Sequence, residues 1–311
     1  MPIIKKNDIT PERPVIIVLY GVPGSGKTSL ATTAENPLVI DTDRGFDRAV
    51  QRVDTLTAQR WQDVTNEYET IKCYKTIIVD TAKSTLDDFI AAYVCEQNYK
   101  LKSNALKRFG QMAEEFKQFV NFLRSNGSDI IFICHDKETQ EGDTIKHAPD
   151  CTGQSKDLLI RIADQVGYVF IQNKQRVINF EPLDNFVGKN VAQLGVVQIP
   201  DAPSKEFDTC MADIIKTVKQ SIQSKSEAQR KAQEKLATLR EKLSEADTED
   251  AVEELMQAAK DLPDILKAPF FGEMKEALSA KGFAFDAKKK KFVKPQDDEP
   301  TTEANNTCDP T

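Results

Sequence analysis

The sequence predicts an α/β protein built on a mostly parallel sheet with a late antiparallel extension. Three observations carry this. Short apolar runs at residues 15–19, 38–40, 76–79 and 130–134 alternate with helical stretches. The first run empties into a glycine-rich turn that opens a helix. From Val166 the hydrophobic period becomes two, and hairpins replace the alternation.

Residues 15–28 read VIIVLYGVPGSGKT. Within them Gly21, Val22, Pro23, Gly24, Ser25, Gly26, Lys27 and Thr28 spell G-x-x-x-x-G-K-[ST], the phosphate loop of P-loop NTPases, in its required context of strand before and helix after. Glycines let the backbone curl so that successive N–H groups face phosphate oxygens. The lysine reaches the β/γ-phosphates and the threonine hydroxyl binds Mg²⁺. The helix is expected to run on from Ser29, the last residue of the nucleotide-binding set, to Ala34 and to stop before Asn36-Pro37.

Further along, residues 38–40 are a buried strand that ends in Asp41-Thr42-Asp43. A helix is expected from Asp47 to Val50, and residues 54–71, around the single Trp61, carry no clear period. Residues 76–80, TIIVD, are a β-branched run ending in an acid, the Walker B pattern whose Asp80 holds Mg²⁺. Residues 84–95 read as a helix. Met112, Phe116, Phe119, Val120 and Leu123 share one face of another, stopped near Gly127. The strand at 130–134 leads to His135, then a polar loop (136–155) and a helix at 156–164. Strands at 166–172 and 176–181 turn at Asn173-Lys174, and 196–199 adds one more.

The ATP-binding core is expected over residues 1–203, closed by the proline pair at 200 and 203. Residues 204–294 read as a helical region with breaks near 244–248, a helix at 265–280 and a short hairpin at 282–293. Residues 295–311 read as a disordered acidic tail.

With 40% hydrophobic and 29% charged residues, the composition is that of a globular protein. The net charge of −7 argues against a nucleic-acid partner, but five acids and no base fall in residues 295–311, which leaves −2 for the rest. No apolar run suits a membrane span, and the first residues lack a signal-peptide core, so a cytoplasmic protein is expected. Six scattered cysteines without a C-x-x-C pair fit reduced thiols. Cys134, His135, His147 and Cys151 are an alternative zinc set. Their spacing matches no zinc finger, and adjacent strand residues face opposite sides.

The residues beyond the phosphate loop separate the classes. GTPases read guanine with N-K-x-D, whereas residues 173–176 are N-K-Q-R. AAA+ and transporter-type ATPases usually place a glutamate directly after the Walker B aspartate, but Thr81 comes after Asp80 here. A carboxylate at the end of the neighbouring strand, Asp41 or Asp43, is then the candidate for orienting water, unless both only cap the next turn.

Here the sequence resembles the RecA family, in particular the phage nucleotide-binding proteins of the RecA core that include Sak-type annealing ATPases. The shared features are the near-N-terminal phosphate loop, I-D-T-D-x-G, I-I-V-D-T and a strand ending in His, over about residues 14–200. The resemblance implies a RecA-like fold, a water-positioning role for Asp43 and a sensor role for His135. It implies two loops on single-stranded DNA. The first is residues 96–110, with Tyr99, Lys100, Lys102, Lys107 and Arg108; the second is residues 136–153. It further implies Arg176 and Lys189 as contacts to the ATP site of a neighbouring subunit in a ring or filament. The run 288–291 and the acidic tail are a candidate DNA patch with a self-competing segment, or solvated ends.

The expectation is therefore an ATPase using ATP and Mg²⁺ that binds single-stranded DNA and supports annealing or homologous recombination in phage DNA metabolism. A homo-oligomer is expected, with the C-terminal region free to meet replication or recombination proteins. The alternatives are an ATP-liganded scaffold or helicase-loader-like accessory, and a small-molecule or nucleotide kinase. The kinase is disfavoured because residues 136–155 offer no arginine for a lid.

Overall fold

The computed structural model describes residues 13–45, 49–142, 144–202, 204–286 and 291–294. The chain divides into two compact units, one reaching to Ser224 and one beginning at Lys225.

The first unit begins with β1 (Ile16–Gly21), which leads through the phosphate loop into α1 (Lys27–Ala31). The helix expected through Ala34 stops at Ala31. Thr32 and Thr33 turn their hydroxyls back onto the carbonyls of Ser29 (2.8 Å) and Leu30 (2.7 Å), and such local bonds compete with helix continuation. β2 (Pro37–Asp41) and the edge strand β3 (Asp54–Thr57) come next, then the short helices α2 (Trp61–Thr65) and α3 (Tyr68–Ile71). Periodicity missed β3 because it is only half buried. Of the helix expected at 47–50, residues 47 and 48 lie outside the described residues, and 49 and 50 form a bend rather than a helix.

β4 (Thr76–Asp80) runs into a π-helical segment, Ser84–Ile90, which continues as α4 (Ala91–Gln97). A 3-10 turn, Tyr99–Ser103, precedes α5 (Ala105–Asn126). The expected apolar face of α5 is buried, and Gly127 ends the helix at φ 89°, in the left-handed region that suits glycine.

β5 (Asp129–Glu141) does not end at His135. Its second half pairs antiparallel with β6 (Thr144–Pro149), so the polar loop expected at 136–155 is largely a β-hairpin. Gly142, at φ 64°, sits between the paired Glu141 and Thr144, and the Gly-Asp dipeptide at 142–143 is the sequence signal for this turn. After α6 (Gly153–Ile162) come β7 (Gln165–Gln172) and β8 (Gln175–Asn179), joined at Asn173-Lys174, both with positive φ as a tight hairpin turn requires. Two short strands, β9 (Lys189–Asn190) and β10 (Val197–Gln198), complete the sheet.

The strand order is β10-β8-β7-β1-β5-β4-β2-β3, with β6 beside β5 and β9 beside β7. From β7 to β3 every pairing is parallel. Strand alternation sends Ile16, Val18 and Tyr20 to one face, with Phe116, Phe119 and Leu159. Val15, Ile17 and Leu19 go to the other, with Leu30, Met211 and Val218. Each fully buried Leu or Phe among these stabilises the fold by about 1.5–3 kcal/mol. The result is the expected P-loop, RecA-like α/β fold.

Polar anchors fix the lower end of β1. Asp164 Oδ2 accepts the Ile16 N–H (3.0 Å) while the same carboxylate holds both Arg13 guanidinium nitrogens (2.6 and 3.0 Å). Asp129 Oδ1 accepts the Val15 N–H (2.9 Å).

The core continues past the prolines at 200 and 203. α7 (Lys205–Asp208) and the start of α8 (Cys210–Glu245) place Phe207, Met211, Ile214 and Val218 in the same apolar cluster as Leu30 and Ile133. The division falls within α8, at Ser224, because burial against the sheet rather than the proline punctuation sets the extent of the core.

The second unit holds the rest of α8, α9 (Glu249–Ala259), α10 (Asp264–Ala280) and the expected hairpin, β11 (Ala284–Asp286) with β12 (Lys291–Val293). Leu255, Phe270, Met274, Leu278, Phe283 and Phe292 form its core. Lys288 to Lys290 and the acidic tail lie outside the described residues. Among the described residues no helix is long and apolar enough to cross a membrane.

Candidate nucleotide site

The phosphate loop is shaped by close approach. A Cβ on Gly21 would lie 2.2 Å from the Val169 carbonyl oxygen of β7, so only glycine lets these two backbones meet. Gly26 stands at φ 88°, which glycine adopts without strain. Val22, Pro23 and Gly24 are exposed at the tip, whereas Ser25 and Lys27 are buried. Lys27 Nζ donates to the carbonyls of Gly21 (2.8 Å) and Val22 (2.9 Å). Burial lowers the pKa of this ammonium, and the Asp80 carboxylate pulls it partly back. Ser29 Oγ accepts the Val50 N–H (3.1 Å), which ties α1 to the segment after β2.

Thr28 Oγ1 donates to Asp80 Oδ2 at 2.7 Å, so the hydroxyl and the carboxylate expected around Mg²⁺ are adjacent. Burial pushes the Asp80 carboxyl up; the Thr28 bond and Lys27 oppose the rise, and Asp43 and Asp41 add to it. A buried acid repelled by two others is a place where a hard divalent cation would relieve charge. A Thr hydroxyl with an Asp oxygen fits Mg²⁺, which keeps several waters and takes few protein ligands.

The two aspartates after β2 have different roles. Asp41 Oδ1 accepts the N–H groups of Asp43 (3.1 Å) and Gly45 (3.1 Å) and so caps the turn. Asp43 faces the pocket, where it accepts from the hydroxyls of Ser84 and Thr81 (3.2 Å). β2 is not the neighbour of β1, as the sequence suggested, because β5 and β4 lie between them. Asp43 reaches the site across the end of β4, where Thr42 Oγ1 accepts the Thr81 N–H (3.1 Å). Ser84 and Thr81, missed in the sequence, hold its carboxylate.

His135 stands opposite Gly21 in the register of β5 with β1. Its Nε2 is 3.6 Å from Asp43 Oδ2, and its Nδ1 is buried with no hydrogen-bond partner among the described residues. A cavity of about 360 Å³ is lined by Gly26, Lys27, Thr28, Asp43, Asp80 and His135. Val50, Ile199, Ala202 and Phe207 add an apolar wall suited to a base. No sequence motif marked these four, which come from the loop after β2, the segment after β10 and α7.

Arg176 and Lys189, expected to serve a neighbouring subunit, each have contacts within their own chain. Arg176 lines the cavity of its own chain, over Gly26. Lys189 Nζ donates to the Ile160 and Arg161 carbonyls (both 3.1 Å) at the end of α6, where a cation satisfies the last free carbonyls.

Residues 96–110 are helical rather than a loop. Tyr99, Lys100, Lys102 and Lys107 are exposed, Arg108 is half buried, and Lys102 Nζ lies 4.7 Å from the Tyr99 ring centre. Lys102 and Arg108 line a groove of about 900 Å³ with Asp87, Asp88, Leu106 and Gly153; Lys100 and Lys107 do not.

The candidate zinc set does not converge among the described residues. Cys134 is fully buried against Cys151, whose hydrogen bond and the burial raise its pKa well above the usual thiol value. His147 Nδ1 pairs with Asp136 (2.6 Å) instead, and the potential ligand atoms of Asp136, Glu138 and His147 lie within 4.8 Å of one another.

A phosphate loop, a Thr–Asp pair and a pocket-facing second carboxylate on this sheet define a P-loop nucleoside-triphosphate-binding protein. The family can be stated as well. A family model described as AAA domain (AAA_24) matches residues 13–191, more than half of the chain, and the chain belongs to that family of nucleotide-binding ATPases. No curated protein matches it.

Proposed function

We propose that the protein hydrolyses ATP with Mg²⁺ and couples turnover to single-stranded DNA, in strand annealing or homologous recombination. The observation that carries the hydrolytic part is the Thr28–Asp80 hydrogen bond of 2.7 Å in the pocket that Asp43 and His135 also face. Thr28 and Asp80 would hold Mg²⁺, which supplies charge neutralisation for phosphoryl transfer when bound. Lys27 and the loop amides would grip the phosphates. Asp43, fixed by Ser84 and Thr81, would orient the attacking water and take up its proton, in place of the glutamate that Thr81 replaces. His135 is close enough to sense the state of Asp43.

The DNA part is supported by the exposed Tyr99 ring with Lys102 above it, an aromatic platform beside a cation. The groove shares Asp87 and Asp88 with the π-helical segment that also supplies Ser84, so one element borders both places. The test is ATP turnover with and without single-stranded DNA at low and moderate salt, with Lys27→Ala as control. DNA stimulation that fades with salt and is lost in Tyr99→Ala supports the proposal. Turnover indifferent to DNA defeats its DNA part, and ATP binding without turnover defeats the hydrolytic part.

A further inference from the structure

We propose that Arg176 contacts the phosphates of a nucleotide bound to its own chain, so that one chain supplies two permanent cations to the site. This rests on the reading of the cavity as an ATP site.

The placement follows from strand geometry. β7 and β8 extend beyond the end of β1, whose pairing with β7 stops at Tyr168. The hairpin therefore overhangs the phosphate loop. Alternation then puts Arg176 on the same sheet face as Ile178, which packs in the cluster of Leu30 and Ala31 from α1. The Arg176 carbonyl accepts the Ile199 N–H (2.9 Å), which fixes the backbone at this point. The side chain lies over the loop. Its Nε, Cδ and Cζ would be 3.6, 3.7 and 3.8 Å from a Cβ on Gly26, ordinary contact distances.

Charge points the same way. Among the described residues lining the cavity, Lys27 and Arg176 are the permanent cations, set against Asp43 and Asp80. Among the described residues no carboxylate pairs with the Arg176 guanidinium. A half-buried guanidinium beside a phosphate loop, with no side-chain acceptor among the described residues, matches the planar, multidentate recognition that phosphate oxygens invite. Supply from the same chain also distinguishes this site from one completed by a neighbour.

The test uses the full chain and two readouts. Equilibrium binding of ATP and of adenosine is measured for wild type and Arg176→Ala, with thermal unfolding to confirm folding. The expected result is an ATP Kd raised about tenfold or more, with adenosine affinity unchanged. An unchanged ATP Kd, or an equal loss for adenosine, overturns the contact. Arg176→Ala is then mixed with Lys27→Ala, whose own loop is impaired but whose Arg176 is intact. The mixture is expected to bind and turn over ATP no better than its two components apart. Rescue by mixing overturns supply from the same chain. A wild type that binds ATP without turnover would defeat the hydrolytic reading alone, because the binding arms still decide the role of Arg176.

Discussion

His135 Nε2 lies 3.6 Å from Asp43 Oδ2, although β5 and β2, which carry them to this point, are separated by β4. The two side chains meet over the end of the strand that terminates in Asp80. A change at the cavity-facing carboxylate is thereby one contact from β5, whose continuation is the hairpin with β6.

Asp43→Asn is expected to lower ATP turnover by on the order of 100-fold or more while leaving ATP affinity within a few-fold, since a positioning carboxylate acts on the reaction more than on binding. His135→Gln is expected to cost less. Steady-state kinetics with a separate nucleotide-binding measurement checks both. Turnover by Asp43→Asn close to wild type would remove Asp43 from the reaction.

Asp80 sets a pH dependence whose sign can be worked out. Burial, with Asp43 and Asp41 nearby, holds its carboxyl above the unfolded value, so the folded chain takes up this proton first as pH falls. Its ionised form thus opposes folding at neutral pH, and that opposition fades as pH drops through the raised pKa. In Mg²⁺-free buffer, Asp80→Asn should melt higher than wild type at pH 7 and lose the advantage in acid, while its MgATP turnover collapses. Equal melting temperatures at pH 7 would contradict this account.

Gly21→Ala should destabilise the first unit by about 1–3 kcal/mol, because the added methyl meets the Val169 carbonyl, a backbone atom that has no rotamer to escape with. Denaturant titration measures it. A neutral result would mean that β7 can draw back from the loop.

Asp164→Ala should cost about 2–3 kcal/mol and Arg13→Ala less. Removing the carboxylate strands the buried Ile16 N–H and leaves the guanidinium only its Pro14 carbonyl and solvent, whereas removing the arginine leaves Asp164 with that backbone bond. Comparison of the two unfolding free energies is the check, and the reverse order would refute it.

The sequence by itself determined the local pieces. The phosphate loop, the β4 run ending in Asp80, the apolar face of α5 and the turn at Asn173-Lys174 were legible because each is set within a few residues, by glycine, periodicity or turn chemistry. The hairpin of β5 with β6 was misread because its strands are exposed and polar, so burial imposed no alternation there. Tertiary structure alone decided the rest. Strand order, which places β4 between β2 and β5, the capping by Asp41 but not Asp43, the apolar wall from Val50 to Phe207, and the turn of Arg176 toward its own loop all depend on packing between distant segments. The free energy that fixes them lies in contacts that no local pattern encodes.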